Sequence, residues 1–391
     1  VSDEREPYRW PDERPTDRPL PEPPSDPAEP AERPFPEPRR EPVESPDPWQ
    51  APSVSHTPEP PPAPSIRFQY APPPTPPPEP AVYKPRIGGN VLLFILTLCS
   101  SIYWGFLQYQ SFYAQDLRGI YTANPLRAPE AFLGGLPFGI AVIAVLLAHE
   151  MGHYLACRHY GIAATLPYFL PLPPPNVFPT LLPGTMGAVI RIKGAITSRR
   201  ALFDIAVAGP IAGWVTALPI LAYGLSQSRV MEQVEIQSNG FYLTLGEPVI
   251  WPWFSNLFGP HVGPSQDLVM HPLAFVGWFA LLITSMNLLP VGQLDGGHLM
   301  YTLVPRWHRP LSYGVLAFMI YAGFRYFIGW LVFAAVVSLL FLVGGMRHPR
   351  PIKYDQPLGT ARTLLMLLAL AIFITSFMLV PVTLPRIVGR F

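Results

Sequence analysis

Cysteine is almost missing from this 391-residue chain; Cys99 and Cys157 are the only two, and both lie in apolar runs. That excludes a disulfide framework and any cysteine-based zinc pattern. Cys157 follows His153 by four residues, but it is taken as a small packing residue rather than a ligand. No charged-then-apolar leader follows Val1, so no secretory signal is expected there. The first 85 residues also lack apolar side chains that could pack, and they hold 29 of the 54 prolines among acids and arginines. Such a segment cannot bury enough surface to offset chain entropy, so residues 1–87 are expected to be a disordered tail with polyproline II character. The run Ala71 to Pro80 has the composition to dock in an aromatic-lined partner groove, and a solvated spacer is its plainer role.

Charge divides at the same place. Residues 1–86 carry 16 acids and 10 bases, and the remainder 10 acids and 17 bases, so the overall +1 conceals two halves of opposite sign. Beyond Gly88 come apolar runs near bilayer-spanning length, about 90–109, 132–159, 201–225, 272–289, 311–324, 328–345 and 363–382. The fold class they predict is an all-α polytopic membrane protein of about seven transmembrane helices, with residues 88–391 as its membrane domain. Between Pro167 and Pro183 seven prolines rule out a continuous helix, yet their neighbours are apolar. Irregular backbone at membrane depth must be covered by protein or line a cavity, so this stretch is expected to dip inward as a loop. It leads into 188–193, whose period-two pattern predicts a short strand.

Residues 158–202 have five bases and no acid, whereas 226–270 have one base and four acids. The excess of bases places the first segment, and the N-terminal tail with it, in the cytoplasm, and the second segment and the C-terminus outside. The expected location is the plasma membrane of a prokaryote, with the lipid bilayer as surroundings and no nucleic-acid partner.

Three ionisable side chains interrupt the second run, in His149-Glu150-Met-Gly-His153. Charge in a span is costly and marks function by default. On a helix His149 and His153 lie one turn apart on one face, with Glu150 beside them. This HExxH spacing suits two imidazoles binding Zn2+ and a carboxylate, not a ligand, that takes a proton from the activated water. Catalytic zinc takes three protein ligands. The second and fourth runs both pass from outside to inside, and Asp295 at the end of the fourth reaches the same depth as the histidines. Asp295 is therefore preferred as the third ligand, with His298 as its rival. In the third run, Gly209 and Gly213 form a GxxxG step that admits close helix approach. Asp204, near the start of that run, suits either a helix-dipole role or a functional one.

Together these motifs resemble the site-2 protease family of intramembrane zinc metalloproteases. His149 to His153 is similar to the family's zinc motif, Asn287-Leu-Leu-Pro290 with Leu294-Asp295-Gly296 to its LDG element, and Asp204 to Gly213 to a segment of its third core helix. The resemblance covers about residues 90–300. It implies one zinc per chain bound by His149, His153 and Asp295, water activation by Glu150, and a role for Asn287 in holding the substrate carbonyl or oxyanion. It also implies that Met186 to Gly194 pairs with extended substrate. The loop of about 45 residues after the third run leaves no room for the PDZ domain some members carry. The expected reaction is peptide-bond hydrolysis in or near the transmembrane segments of single-span proteins, in regulated intramembrane proteolysis. The contrasting class is a membrane metal-ion transporter or channel, which would need a polar path through the bilayer rather than ionisable groups at one depth. A catalytically dead scaffold is a third, opposed by the intact motif.

Overall fold

The computed structural model describes residues 87–113, 122, 124–173, 182–233, 244–344 and 357–383. The chain divides into two units, Val1–Pro76 and Pro77–Phe391, and the described residues all belong to the second. The expected disordered tail thus lies outside the described residues except for Ile87, which already begins the first helix.

Among the described residues, three helices are long and apolar enough to cross a membrane: α1 (Ile87–Phe112), α2 (Pro129–His159) and α3 (Arg199–Ser226). At 1.5 Å per residue they run roughly 39 to 47 Å, against about 30 Å of hydrocarbon. The Ser198 hydroxyl starts α3 by accepting from the Ala201 N–H at 3.1 Å. Downstream come α4 (Trp251–Phe258), α5 (Pro272–Asn287), α6 (Asp295–Leu303), α7 (His308–Arg325), α8 (Gly329–Gly344) and α9 (Thr360–Ser376). Each expected apolar run therefore contains a helix, but by length and composition three of them qualify as spans, with shorter apolar helices in α5, α8 and α9. The last run ends earlier than its hydropathy suggests. Pro381 has no N–H to donate and its ring would clash with a helical carbonyl four residues back. The helix stops at Ser376, and Val382–Thr383 pair as β6 with β4 (Thr244–Leu245).

The proline-rich stretch is not all loop. Tyr168–Pro171 form β1, antiparallel to β2 (Thr185–Val189), with Tyr168 opposite Val189 and Phe169 opposite Ala188. Pro171 is tolerated because it ends its strand. The strand expected at 188–193 thus begins and ends earlier, and Ile192 makes only an isolated bridge to Ala164. A local cause is Thr185, whose hydroxyl donates to the Leu170 carbonyl at 2.9 Å and accepts from the Gly187 N–H at 3.0 Å. Helix α1 covers the hairpin. The Asn90 amide donates to the carbonyls of Leu166 and Pro167, each at 2.9 Å, and the Ser100 hydroxyl donates to that of Leu172. These contacts satisfy irregular backbone beside a span, as membrane depth requires.

The core joins α1, α2 and α5 through parallel rings: Trp104, Phe138 and Phe275 have centroids 6.1 to 6.4 Å apart. At the far end of α1, β3 (Arg229–Glu232) pairs with β5 (Gln266–Val269), and the Arg229 guanidinium lies over Phe112 and Tyr113, 5.0 and 4.6 Å from their centroids. His271 caps α5 there, accepting from the Leu273 N–H at 3.2 Å.

Burial, assisted by the Arg229 charge, pushes the His271 imidazole down to about 4 from its usual 6.5. The folded state then holds His271 neutral where the unfolded chain would bind a proton. Its stabilising contribution is full above about pH 6.5 and is lost as pH falls from there toward 4. Thermal melts of the wild type should lose on the order of 2 kcal/mol over that window, after allowance for partial exposure, relative to His271→Asn, which keeps a capping acceptor but cannot titrate. Parallel profiles for the two proteins would refute this.

Candidate metal centre

Helix α2 brings His149 and His153 to one face, one turn apart, and buries both. Their Nε2 atoms are 3.1 Å apart. Asp295, the first residue of α6, meets them with Oδ2 at 3.3 Å from His149 Nε2 and Oδ1 at 3.4 Å from His153 Nε2. Among the described residues, these three form the group whose donor atoms all lie within 4.8 Å of one another. A tetrahedral ion with bonds of about 2.0 to 2.1 Å has donor-to-donor edges of about 3.3 to 3.4 Å. Each Asp295 oxygen stands at that distance from one imidazole, and the set suits zinc in chemistry, with two imidazole nitrogens and one carboxylate.

The orientation of His153 is set from behind. A carbonyl can only accept, so His153 Nδ1 must donate to Ile205 O at 2.7 Å, and this leaves Nε2 to face Asp295 and His149. Helix α3 supplies that carbonyl because it approaches α2 over glycine. A Cβ on Gly209 would stand 2.1 Å from His153 Nε2, and one on Gly213 would be 3.2 Å from His149 Nδ1. Across the same contact, a Cβ on Gly152 would be 2.5 Å from the Ala208 carbonyl oxygen. The GxxxG step is thus the seat of both histidines.

Glu150, 7 % exposed, is buried near Ile190, just beyond β2. It lines a cavity of about 240 Å³ together with the three clustered residues, Ala188 to Ile190, Asn287 and His298. The Asn287 amide nitrogen is 3.5 Å from His149 Nε2. His298 shares the cavity but not the cluster of donors. At α2's 1.5 Å rise, His149 sits roughly 15 Å from the helix's C-terminal end, well inside a bilayer-thick span.

Two residues fall elsewhere. Cys157 is fully buried against Ile162, Ala201 and Ile205, as a packing residue. Asp204 does not line the cavity; it accepts from Arg362 Nε at 2.8 Å and Nη2 at 2.6 Å, and from the Tyr160 hydroxyl. Arg362 Nη2 also donates to the Tyr160 oxygen at 3.0 Å. Asp204 therefore fastens α9 and the end of α2 to α3, which answers the two roles left open for it. Neither Arg362 nor Tyr160 is singled out by sequence pattern; the available signal was an arginine at the start of an apolar helix.

Comparison with known proteins agrees with this geometry. The chain is 28 % identical over 220 residues to the probable zinc metalloprotease EGY1, chloroplastic, of Oryza sativa subsp. japonica, covering 53 % of this chain and 36 % of that protein. To the Arabidopsis thaliana protein of the same name it is 31 % identical over 218 residues, 53 % of this chain and 38 % of the relative. To the probable zinc metalloprotease EGY2, chloroplastic, of Oryza sativa subsp. indica it is 27 % identical over 235 residues, 58 % and 40 % respectively. The chain thus spans well under half the length of these relatives. No solved structure matches. The family model of peptidase family M50 matches residues 137–330, a segment that contains the whole metal cluster. Over that segment the chain matches peptidase family M50, the site-2 protease family.

Proposed function

We propose that the chain is an intramembrane zinc metalloprotease that hydrolyses peptide bonds in or near the transmembrane segments of single-span proteins, releasing regulators in the manner of regulated intramembrane proteolysis. The observation that carries this is the convergence of His149, His153 and Asp295, their donor atoms within 4.8 Å of one another, beside a buried Glu150 in an open cavity. The names of the relatives, probable zinc metalloproteases, support the same chemistry.

In this proposal His149, His153 and Asp295 hold one zinc per chain. Zinc there supplies a Lewis acid that polarises a peptide carbonyl and acidifies water. Glu150 accepts the proton of the attacking water and delivers it to the leaving amine nitrogen. The Asn287 amide donates to the carbonyl oxygen as it gains charge. A substrate helix hides its carbonyls in its own hydrogen bonds, so it must unwind first. The segment Ala188–Ile190 lines the cavity as extended backbone and offers the unwound chain a strand to pair with.

The rest of the proposal concerns the membrane. Seven helices cross it, the N-terminus is cytoplasmic, and the proline-rich tail is free to meet a partner. The membrane we assign is a prokaryotic plasma membrane, although the names of the relatives place those proteins in the chloroplast. The test uses the purified full chain in liposomes with a single-span protein substrate. Stripping metal with a chelator should abolish cleavage, and one zinc per chain should restore it. Cleavage that survives chelation, or zinc crossing the membrane without cleavage, would defeat the protease reading, and the second result would favour a transporter.

A further inference from the structure

We propose that His308 and Ser312, on α7, are positioning residues for Asp295: they lock the turn that aims its carboxylate at the two histidines. This inference rests on the reading of Asp295 as a metal ligand.

The turn runs from Leu288 to Leu294, between α5 and α6. Such a segment is stiff only where its backbone groups find partners, and Gly292 at its centre finds two on α7. Its N–H donates to the Ser312 hydroxyl at 3.2 Å. Its carbonyl lies 3.3 Å from His308 Nε2, and since a carbonyl only accepts, that nitrogen carries the proton. His308 and Ser312 are one helical turn apart, 4 % and 2 % exposed. A buried imidazole and a buried hydroxyl are costly unless paired, and the imidazole donates to, and the hydroxyl accepts from, the backbone of one residue.

The other side of the turn is closed as well. Gly292 has φ +56°, and a Cβ there would come within 1.9 Å of the Phe341 ring on α8. Held by α7 on one side and α8 on the other, Gly292 has little room to shift. Asp295 follows three residues later and must present one oxygen to each imidazole, at 3.3 and 3.4 Å. A carboxylate placed so evenly between two partners is sensitive to small movements of its anchor. Helices α7 and α8 act on Asp295 through the turn.

The experiment measures zinc affinity by chelator competition on the full chain in detergent, apart from any cleavage assay. His308→Ala and Ser312→Ala should each bind zinc roughly 10-fold more weakly than wild type, in the range seen for lost outer-shell partners. His308→Gln, which keeps an N–H donor of similar reach, should recover to within about threefold of wild type. Wild-type affinity in both alanine variants would overturn the proposal, and so would a glutamine variant as weak as the alanine one. If His308→Ala does not fold, Ser312→Ala and His308→Gln carry the same decision. Asp295→Ala separates this inference from the reading beneath it. If that variant binds zinc as tightly as wild type, the ligand assignment fails. If it loses zinc while the α7 variants do not, the positioning role alone fails.

Discussion

Glu150→Gln should lower cleavage by about 10² to 10⁴-fold while leaving the zinc content at the wild-type level. Glutamine preserves the shape, so the buried packing survives. What it cannot do is take a proton from water. Zinc should stay because Glu150 is not among the three side chains whose donor atoms converge. The two measurements belong together, cleavage of a single-span substrate and metal content of the same preparation. A variant that retains activity within about tenfold would remove Glu150 as the proton acceptor, and one that loses its zinc would make it a ligand or a support for one.

The second large effect is expected at a residue with no side chain. Gly209→Ala places a methyl group 2.1 Å from His153 Nε2 and 2.4 Å from Cε1, closer than any non-bonded contact allows. Parting the helices would open the close contact of Gly152 on α2 with the Ala208 carbonyl of α3. The imidazole must tip instead, and tipping would break the hydrogen bond from Nδ1 to Ile205 O that aims it. The variant should lose zinc by more than roughly 100-fold in affinity, exceeding the usual cost of a lost outer-shell partner, and should lose cleavage with it. Gly213→Ala is the graded control. Its Cβ would meet His149 at 3.2 Å, a tight contact that a small shift can absorb, so its affinity should fall by no more than about tenfold. Full zinc binding by Gly209→Ala would mean that the histidine does not sit on the glycine as described.

Much of the site was legible along the chain because its signals are local. The spacing from His149 to His153 needs only a helix to bring the two rings to one face, and the apolar run around them predicts that helix. Asp295 required more, a matching of depths between two spans, and the observed distances agree with that matching. The helices also follow hydropathy closely, since each apolar run contains one. Hydropathy overshoots where a single residue overrides it, as Pro381 does after α9. The β1 strand was hidden because four residues ending in proline show no period, and its partner 14 residues on supplies the ladder.

The sequence alone determined the composition of the centre: two imidazoles and a glutamate on one helix, an aspartate on another, and a membrane around them. Only the tertiary structure decided what holds those groups in place. The Gly209 step, legible as a helix contact, proved to be the seat of His149 and His153. Asp204, legible as an acid near a helix start, proved to be paired with Arg362, 158 residues away. Gly292, unmarked by its local sequence, proved to be fastened to His308 and Ser312. The physical reason is common to all three. A residue's type and its local spacing limit which partners it can take, but among several arginines, hydroxyls and glycines the choice is made by packing, which exists only when the chain has folded.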